Sequence, residues 1–76
     1  MKSNKYNYLN VIQQNYGQGW EDVSEYQANS KGVSIEYSDK LSPKGRKETL
    51  LKHDAREYRA TGYATRVIFR KELNNN

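Results

Sequence analysis

Two glycines beside the only tryptophan mark the point where this chain must reverse its direction. They lie in the segment Tyr16-Gly17-Gln18-Gly19-Trp20, and glycine reaches positive φ without the steric penalty that a side chain imposes. The flanking residues 6–16 and 20–26 contain aromatic and β-branched side chains, which favour strands. The segment therefore predicts an antiparallel hairpin. It does not match a phosphate-binding loop, because it lacks the Gly-Lys-Ser/Thr ending and no helix follows at once.

A Ser-Pro pair predicts the start of the only helix. Ser42 can cap the first turn, and Pro43 suits the first helical position because its φ is already fixed near the helical value. We therefore expect a helix that opens at 42–43 and runs to about Ala60. Gly45 weakens the first turn, so the regular part is expected to begin nearer Arg46.

The expected helix is amphipathic. Its apolar residues recur at helical spacing and should pack on a sheet: Leu51, Ala55 and Tyr58, flanked by Leu50. Glu48 precedes Lys52 by four positions, a spacing that favours an ion pair on a helix surface. Gly62 stands where a left-handed residue commonly ends a helix.

The remaining strand patterns complete an α+β fold. Residues 33–37 alternate apolar with polar side chains and predict a short third strand. Residues 63–73 predict a last strand with Tyr63, Thr65, Val67 and Phe69 on its core face. We expect a small antiparallel sheet of three or four strands with one helix packed on one face, in the order β-β-(β)-α-β, because this arrangement buries both apolar stripes.

Size and composition limit the core. Residues 1–76 form a single small domain with ends expected to fray at about 1–5 and 74–76, and a chain of this size hides only about 60% of its unfolded surface. Leu, Ile, Val and Phe supply 13 of 76 residues, while seven tyrosines and one tryptophan add large surfaces that can be partly buried. There is no cysteine, which excludes disulfides and thiolate metal sites.

Charge is distributed unevenly along the chain. The formal net charge is +4, and ten of the 13 basic residues lie between positions 40 and 71. Such a basic half favours anionic partners, either nucleic acid or an acidic protein surface, although the same charges also keep a small protein soluble. No stretch resembles a signal peptide or a membrane span, so we expect a cytoplasmic protein with no membrane contact.

Three groups of residues are candidates for partner binding. Arg66, Ile68 and Arg70 should project from the last strand on the face opposite the helix, where basic and neighbouring aromatic side chains can hold phosphates and stack on bases. A basic stripe should run along the helix: Lys52, Arg56 and Arg59. Trp20 is expected to pack in the core or on the sheet, and if exposed it is a candidate binding anchor.

No pattern predicts catalysis, a cofactor or a metal. His53 is the only histidine and stands four residues before Glu57, a spacing typical of a surface pair. Zinc needs several ligands, and general acid–base catalysis needs a pocket and a second group. The carboxylate pairs Glu21/Asp22 and Asp54/Glu57 are spaced like ordinary surface acids.

Three blocks of the sequence together resemble a group of short phage and prophage proteins. They are Tyr16-Gly17-Gln18-Gly19-Trp20-Glu21-Asp22-Val23, then Leu51 through Glu57-Tyr58-Arg59, and then Tyr63 with Arg66-Val67-Ile68 and Arg70. The resemblance covers about half of the chain and implies a mobile-element setting and a hairpin–helix–strand core. The chain departs from the group by a longer middle, roughly residues 27–47, and the resemblance implies no activity.

The leading hypothesis is therefore a non-enzymatic protein that binds a host or phage macromolecule and modulates it, most readily a protein partner. The alternative is direct RNA or DNA binding through the same basic residues, which salt should weaken steeply. A third hypothesis is a homodimer formed through an edge strand.

Overall fold

The computed structural model describes residues 6–73, which form a three-stranded antiparallel sheet, a separate two-stranded sheet and one helix. The expected α+β class is confirmed. The larger sheet has the order β2-β1-β5 and is built from β1 (Tyr6–Asn15), β2 (Trp20–Ala28) and β5 (Ala64–Leu73). The ends expected to fray, 1–5 and 74–76, lie outside the described residues.

The predicted first hairpin is confirmed. Strands β1 and β2 pair antiparallel, with Asn15 opposite Trp20 at the end of the ladder. Gly17 and Gly19 have φ of 102° and 106°, a region that strains any residue with a Cβ. The Asn15 side chain accepts a hydrogen bond from the Gly17 amide at 2.7 Å, which helps to fix the reversal.

A register shift interrupts this ladder between Ile12 and Gln13. Ile12 lies opposite Ser24, whereas Gln13 lies opposite Asp22, so β2 carries one extra residue at this point. Such a bulge redirects the side chains around it. Here it leaves Val23 packed against the core while Asp22 faces the opposite side of the sheet beside Gln13.

Helix α1 (Leu50–Arg59) covers one face of the larger sheet. Its apolar stripe packs as predicted, since Ala55 is buried with Ile12 and Tyr26, and Leu51 and Tyr58 lie against them. The helix has only ten residues, and within 6–73 no helix is long and apolar enough to cross a membrane.

The helix begins later than the Ser-Pro pair predicted. Residues 42–45 form instead the turn of a hairpin between β3 (Tyr37–Leu41) and β4 (Lys47–Thr49). The Gly45 amide donates to the Ser42 carbonyl at 2.8 Å, and Gly45 has φ of 77°. Serine, proline and glycine favour such a turn as strongly as they favour a helix start, and the longer-range pairing of β3 with β4 decides between the two.

Thr49 is the actual N-cap. Its backbone is extended, and its hydroxyl accepts a hydrogen bond from the Lys52 amide at 3.2 Å. Glu48 therefore belongs to β4, and the predicted helical pair with Lys52 is wrong. The predicted end of the helix holds to within a residue, because Ala60 is the C-cap and Gly62 follows with φ of 90°.

The expected third strand at 33–37 is also wrong. Only Ser34 bridges to Ala28 of β2, and the regular strand begins at Tyr37 and joins β4 rather than the larger sheet. The burial pattern is inverted, since Ser34 is buried while Val33 and Ile35 are 56% and 53% exposed. The buried Ser34 is hydrogen-bonded, because its hydroxyl accepts from the Asn10 amide at 2.8 Å.

The last strand has the two faces that its alternation predicted. The Gln14 amide donates to both the Thr65 hydroxyl and the Tyr58 carbonyl, which places Thr65, and with it Val67 and Phe69, on the helix side. Phe69 nevertheless remains 48% exposed. Strand β5 lies at the edge of the sheet, and the short helix is too small to cover it fully.

Candidate functional site

Arg66, Ile68 and Arg70 lie on the sheet face opposite helix α1, as the sequence predicted. Pairing with β1 places Arg66 beside Gln13 and Ile68 beside Val11. Trp20 lies at the end of the same face, because it is opposite Asn15 and its ring contacts Arg66. We call this surface the open sheet face, and its central residues are Gln13, Trp20, Asp22, Glu25, Arg66, Ile68 and Arg70.

A hydrogen-bonded network crosses the open sheet face. Gln13 accepts from Arg66 Nε at 2.8 Å and donates to Asp22 at 2.7 Å, so it joins the first arginine to a carboxylate. Arg70 donates to both oxygens of that carboxylate, at 2.7 and 3.1 Å. A second carboxylate, on Glu25, lies 3.7 Å from Arg70. The network thus links all three strands through their side chains.

This network offsets the positive charge of the arginines. The hydrogen bonds from Arg70 and then from Gln13 lower the pKa of Asp22 to about 2, so the carboxylate is charged at neutral pH. The same contact with Asp22 raises the pKa of Arg70. Two carboxylates face two guanidinium groups, and the open sheet face therefore has mixed charge rather than the basic character expected from Arg66 and Arg70.

Trp20 is exposed and not part of the core. It is 39% exposed, and the Arg66 guanidinium carbon lies 4.2 Å from the ring centroid. This cation–π stack and the hydrogen bond to Gln13 hold Arg66 from two sides. Of the two arrangements that the sequence predicted for Trp20, core packing is wrong, since the ring lies on the sheet against Arg66 and faces solvent in part.

The open sheet face also covers part of the core. Val11 is fully buried although helix α1 lies on the other side of the sheet. Its cross-strand neighbours are Ile68 and Glu25, and Ile68 is half-buried. The ordered polar side chains of this face must therefore shield Val11 from water, which ties the network to stability.

The three residues of the predicted basic helix stripe, Lys52, Arg56 and Arg59, have different surroundings. Arg56 donates to both oxygens of Glu48, at 3.0 and 2.7 Å, and this lowers the pKa of that carboxyl group. Glu48 is itself buried. Lys52 and Arg59 are exposed, but Lys52 points to the β3–β4 hairpin whereas Arg59 belongs to the last turn of α1.

Lys52 and Arg56 line a concavity that the sequence did not predict. It has a volume of about 530 Å³ and lies between the β3–β4 hairpin and the first half of α1. We call it the hairpin–helix groove. Its charged and aromatic lining comprises Tyr37, Lys44, Arg46, Lys47, Glu48, Lys52 and Arg56.

The hairpin–helix groove is strongly basic. Five cations line it, against one carboxylate, and Glu48 already holds Arg56. In the part of the chain that the structure describes, no carboxylate lies within ion-pair distance of Lys44, Arg46, Lys47 or Lys52. The amino group of Lys47 lies 5.1 Å from the centroid of the Tyr37 ring. The whole residue Tyr37 is 52% exposed.

Sequence reasoning missed the residues that give each surface its character. Nothing in the sequence around Gln13 and Asp22 indicates that the two side chains are neighbours. The bulge in β2 places them side by side. Lys44, Arg46 and Lys47 were assigned to a helix, so their convergence with Lys52 was hidden. The signal that could have found them is Ser42-Pro43-Lys44-Gly45, which also favours a hairpin turn.

His53, Asp54 and Glu57 form one cluster of potential metal ligands, with one ligand atom of each within 4.8 Å of the others. His53 Nδ1 lies 2.9 Å from Asp54 and 3.8 Å from Glu57, so the nearer partner is not the predicted one. The Tyr26 hydroxyl donates to the other Asp54 oxygen at 2.6 Å. Burial tends to raise the pKa of Asp54, but the hydrogen bonds from Tyr26 and His53 lower it on balance. A cation here would have to displace these contacts.

Comparison with protein-family models, with curated proteins and with solved structures finds no match for this chain. The two surfaces themselves therefore indicate what the chain can bind. The open sheet face is pre-ordered, aromatic and of mixed charge, which suits a protein surface. The hairpin–helix groove is concave and carries uncompensated positive charge, which suits an anionic ligand.

Proposed function

We propose that the protein is a non-enzymatic binding protein that engages another protein through the open sheet face. The observation that carries this proposal is Trp20, exposed and held against Arg66 at the rim of an ordered polar network. Tryptophan and arginine are the residue types most enriched among the few that dominate protein–protein binding energy. The resemblance to phage and prophage proteins supports a host or phage protein as the partner.

Charge favours a protein over a nucleic acid at this face. Asp22 and Glu25 would lie close to any phosphate that approached Arg70, and both terminal nitrogens of Arg70 already donate to the Asp22 carboxylate. A protein surface can instead present matching charges of both signs. Because the network already fixes the side chains, less conformational entropy is lost when a partner binds.

The test is affinity capture from lysate of a phage-bearing bacterial host, followed by measurement of direct binding to the captured protein. Trp20→Ala should weaken the contact at least tenfold, since an anchor of this kind contributes about 2 kcal/mol or more. Tyr16→Ala removes another exposed aromatic residue from the neighbouring turn and should leave binding unchanged. Equal affinity of the wild type and the Trp20 variant would refute the proposal for this face.

A further inference from the structure

We propose that the hairpin–helix groove binds single-stranded nucleic acid, with its lysines and arginines on the phosphates and Tyr37 stacked on a base. This goes beyond the protein contact proposed for the open sheet face and uses none of the residues of that face. The two surfaces lie on opposite sides of the larger sheet, because the groove adjoins α1 and the open sheet face is the side that α1 leaves uncovered.

The positive charge of the groove is largely uncompensated. Lys44 and Arg46 extend from the turn of the β3–β4 hairpin, Lys47 from β4 and Lys52 from the first turn of α1. Side chains of like charge repel each other, and no carboxylate of the described residues lies within ion-pair distance of these four. A phosphate backbone would remove that repulsion and release its own counterions, which is the main source of affinity for nucleic acid.

The direction of helix α1 also favours an anionic ligand. Helix α1 begins at the groove, where Thr49 caps it and lines the wall. Its first turn contains no acidic residue. The positive end of the helix dipole adds to the field of the lysines, and the one carboxylate beside it, that of Glu48, already pairs with Arg56.

Tyr37 favours single-stranded nucleic acid over other polyanions. An exposed aromatic ring among cations is the arrangement by which proteins hold unpaired bases, since every base has a face that can stack. A duplex buries its bases and would leave Tyr37 without this contact. An acidic peptide would satisfy the lysines but has no base for the ring.

The test uses fluorescence polarisation with labelled mixed-sequence DNA and RNA strands of about 12 nucleotides, within the usual range of site sizes for small single-strand-binding folds. If about four phosphates are contacted, a fourfold rise in salt should weaken binding roughly 50-fold. The double variant Lys44→Glu/Lys47→Glu should lose at least about tenfold in affinity at low salt. Both side chains are exposed, and far-UV circular dichroism checks that the variant folds.

A matched control distinguishes binding at the groove from non-specific electrostatic attraction to the whole protein. Arg59→Glu makes the same change of charge per residue on α1, but outside the groove. Paired with Lys31→Glu in the loop after β2, it equals the double variant in net charge. This control should weaken binding less than about threefold, because only long-range attraction changes. Equal losses in the two double variants would overturn the proposal.

Tyr37 distinguishes the ligand class. Tyr37→Ala should weaken single-strand binding at least about fivefold, while Tyr37→Phe should keep it, because stacking needs only the ring. Competition with duplex DNA and with polyglutamate completes the experiment, and both should compete poorly. The proposal is overturned if no single strand binds at low salt, if either competitor binds as tightly, or if Tyr37→Ala has no effect.

Discussion

The open sheet face has two carboxylates for its two arginines, whereas the hairpin–helix groove has one carboxylate, Glu48, for five cations. On the open sheet face, Arg70 holds Asp22 at 2.7 Å, and Gln13 extends the contact to Arg66. In the groove, Lys44, Lys47 and Lys52 have no such partner among the described residues. The number of cations in a segment therefore does not set the electrostatic potential of its surface. Carboxylates on the adjacent strand or helix neutralise some of these cations and not others.

The two regions also differ in what their polar side chains do for the fold. The open sheet face network links three strands and lies over the buried Val11. The side chains at the groove rim extend from a hairpin turn into solvent. We therefore expect substitutions in the open sheet face network to change stability, and substitutions of the exposed groove lysines to leave stability nearly unchanged.

The largest stability effect should come from Gln13→Ala. Gln13 is 7% exposed and satisfies both Arg66 and Asp22, so its loss should cost about 1–3 kcal/mol in the free energy of unfolding measured with urea. In the groove, Lys47→Gln should change that free energy by less than about 0.5 kcal/mol. A Gln13 variant as stable as the Lys47 variant would break the comparison.

A smaller effect should appear in the acid range through Asp22. Because its pKa falls from 3.8 to about 2 on folding, the carboxylate stabilises the fold above the unfolded pKa. That contribution disappears as the pH falls from about 5 to about 2. Asp22→Asn should thus be less stable than the wild type at pH 7, and the gap should close towards pH 2.

The urea midpoint at several pH values measures this gap. Other carboxylates with lowered pKa, such as Glu48 and Asp54, titrate in both proteins, so only the difference between them reports on Asp22. Glu21→Gln is the matched control, since Glu21 is the adjacent exposed acid on the same strand. A gap that stays constant with pH would show that Asp22 does not depend on its charged contacts.

Much of the fold was predictable because its signals are local. Gly17 and Gly19 allow the positive φ that a tight reversal needs, and Leu51, Ala55 and Tyr58 recur at the spacing of one helix face. The alternation of β5 likewise placed Arg66 and Arg70 opposite the helix. Each of these features depends on residues within a few positions of one another.

The sequence predictions were wrong where two local structures are equally favoured and contacts between residues distant in the sequence select one of them. Ser42-Pro43 can begin a helix or turn a hairpin, and the partner that settles the choice is β4. Residues 33–37 alternate like a strand, but Ser34 is buried and hydrogen-bonded to the Asn10 side chain. The character of both candidate surfaces has the same origin, since Asp22 and Arg70 meet across a separation of 48 positions in the sequence.

The most direct test of the two-surface account uses Trp20 as a built-in reporter. It is the only tryptophan and lies on the open sheet face, so its emission can be followed during titration with an unlabelled single strand while polarisation of a labelled strand reports binding. The account predicts that binding saturates while Trp20 emission stays unchanged, because the strand occupies the groove. Quenching of Trp20 in step with saturation would place the nucleic acid on the open sheet face and contradict the account.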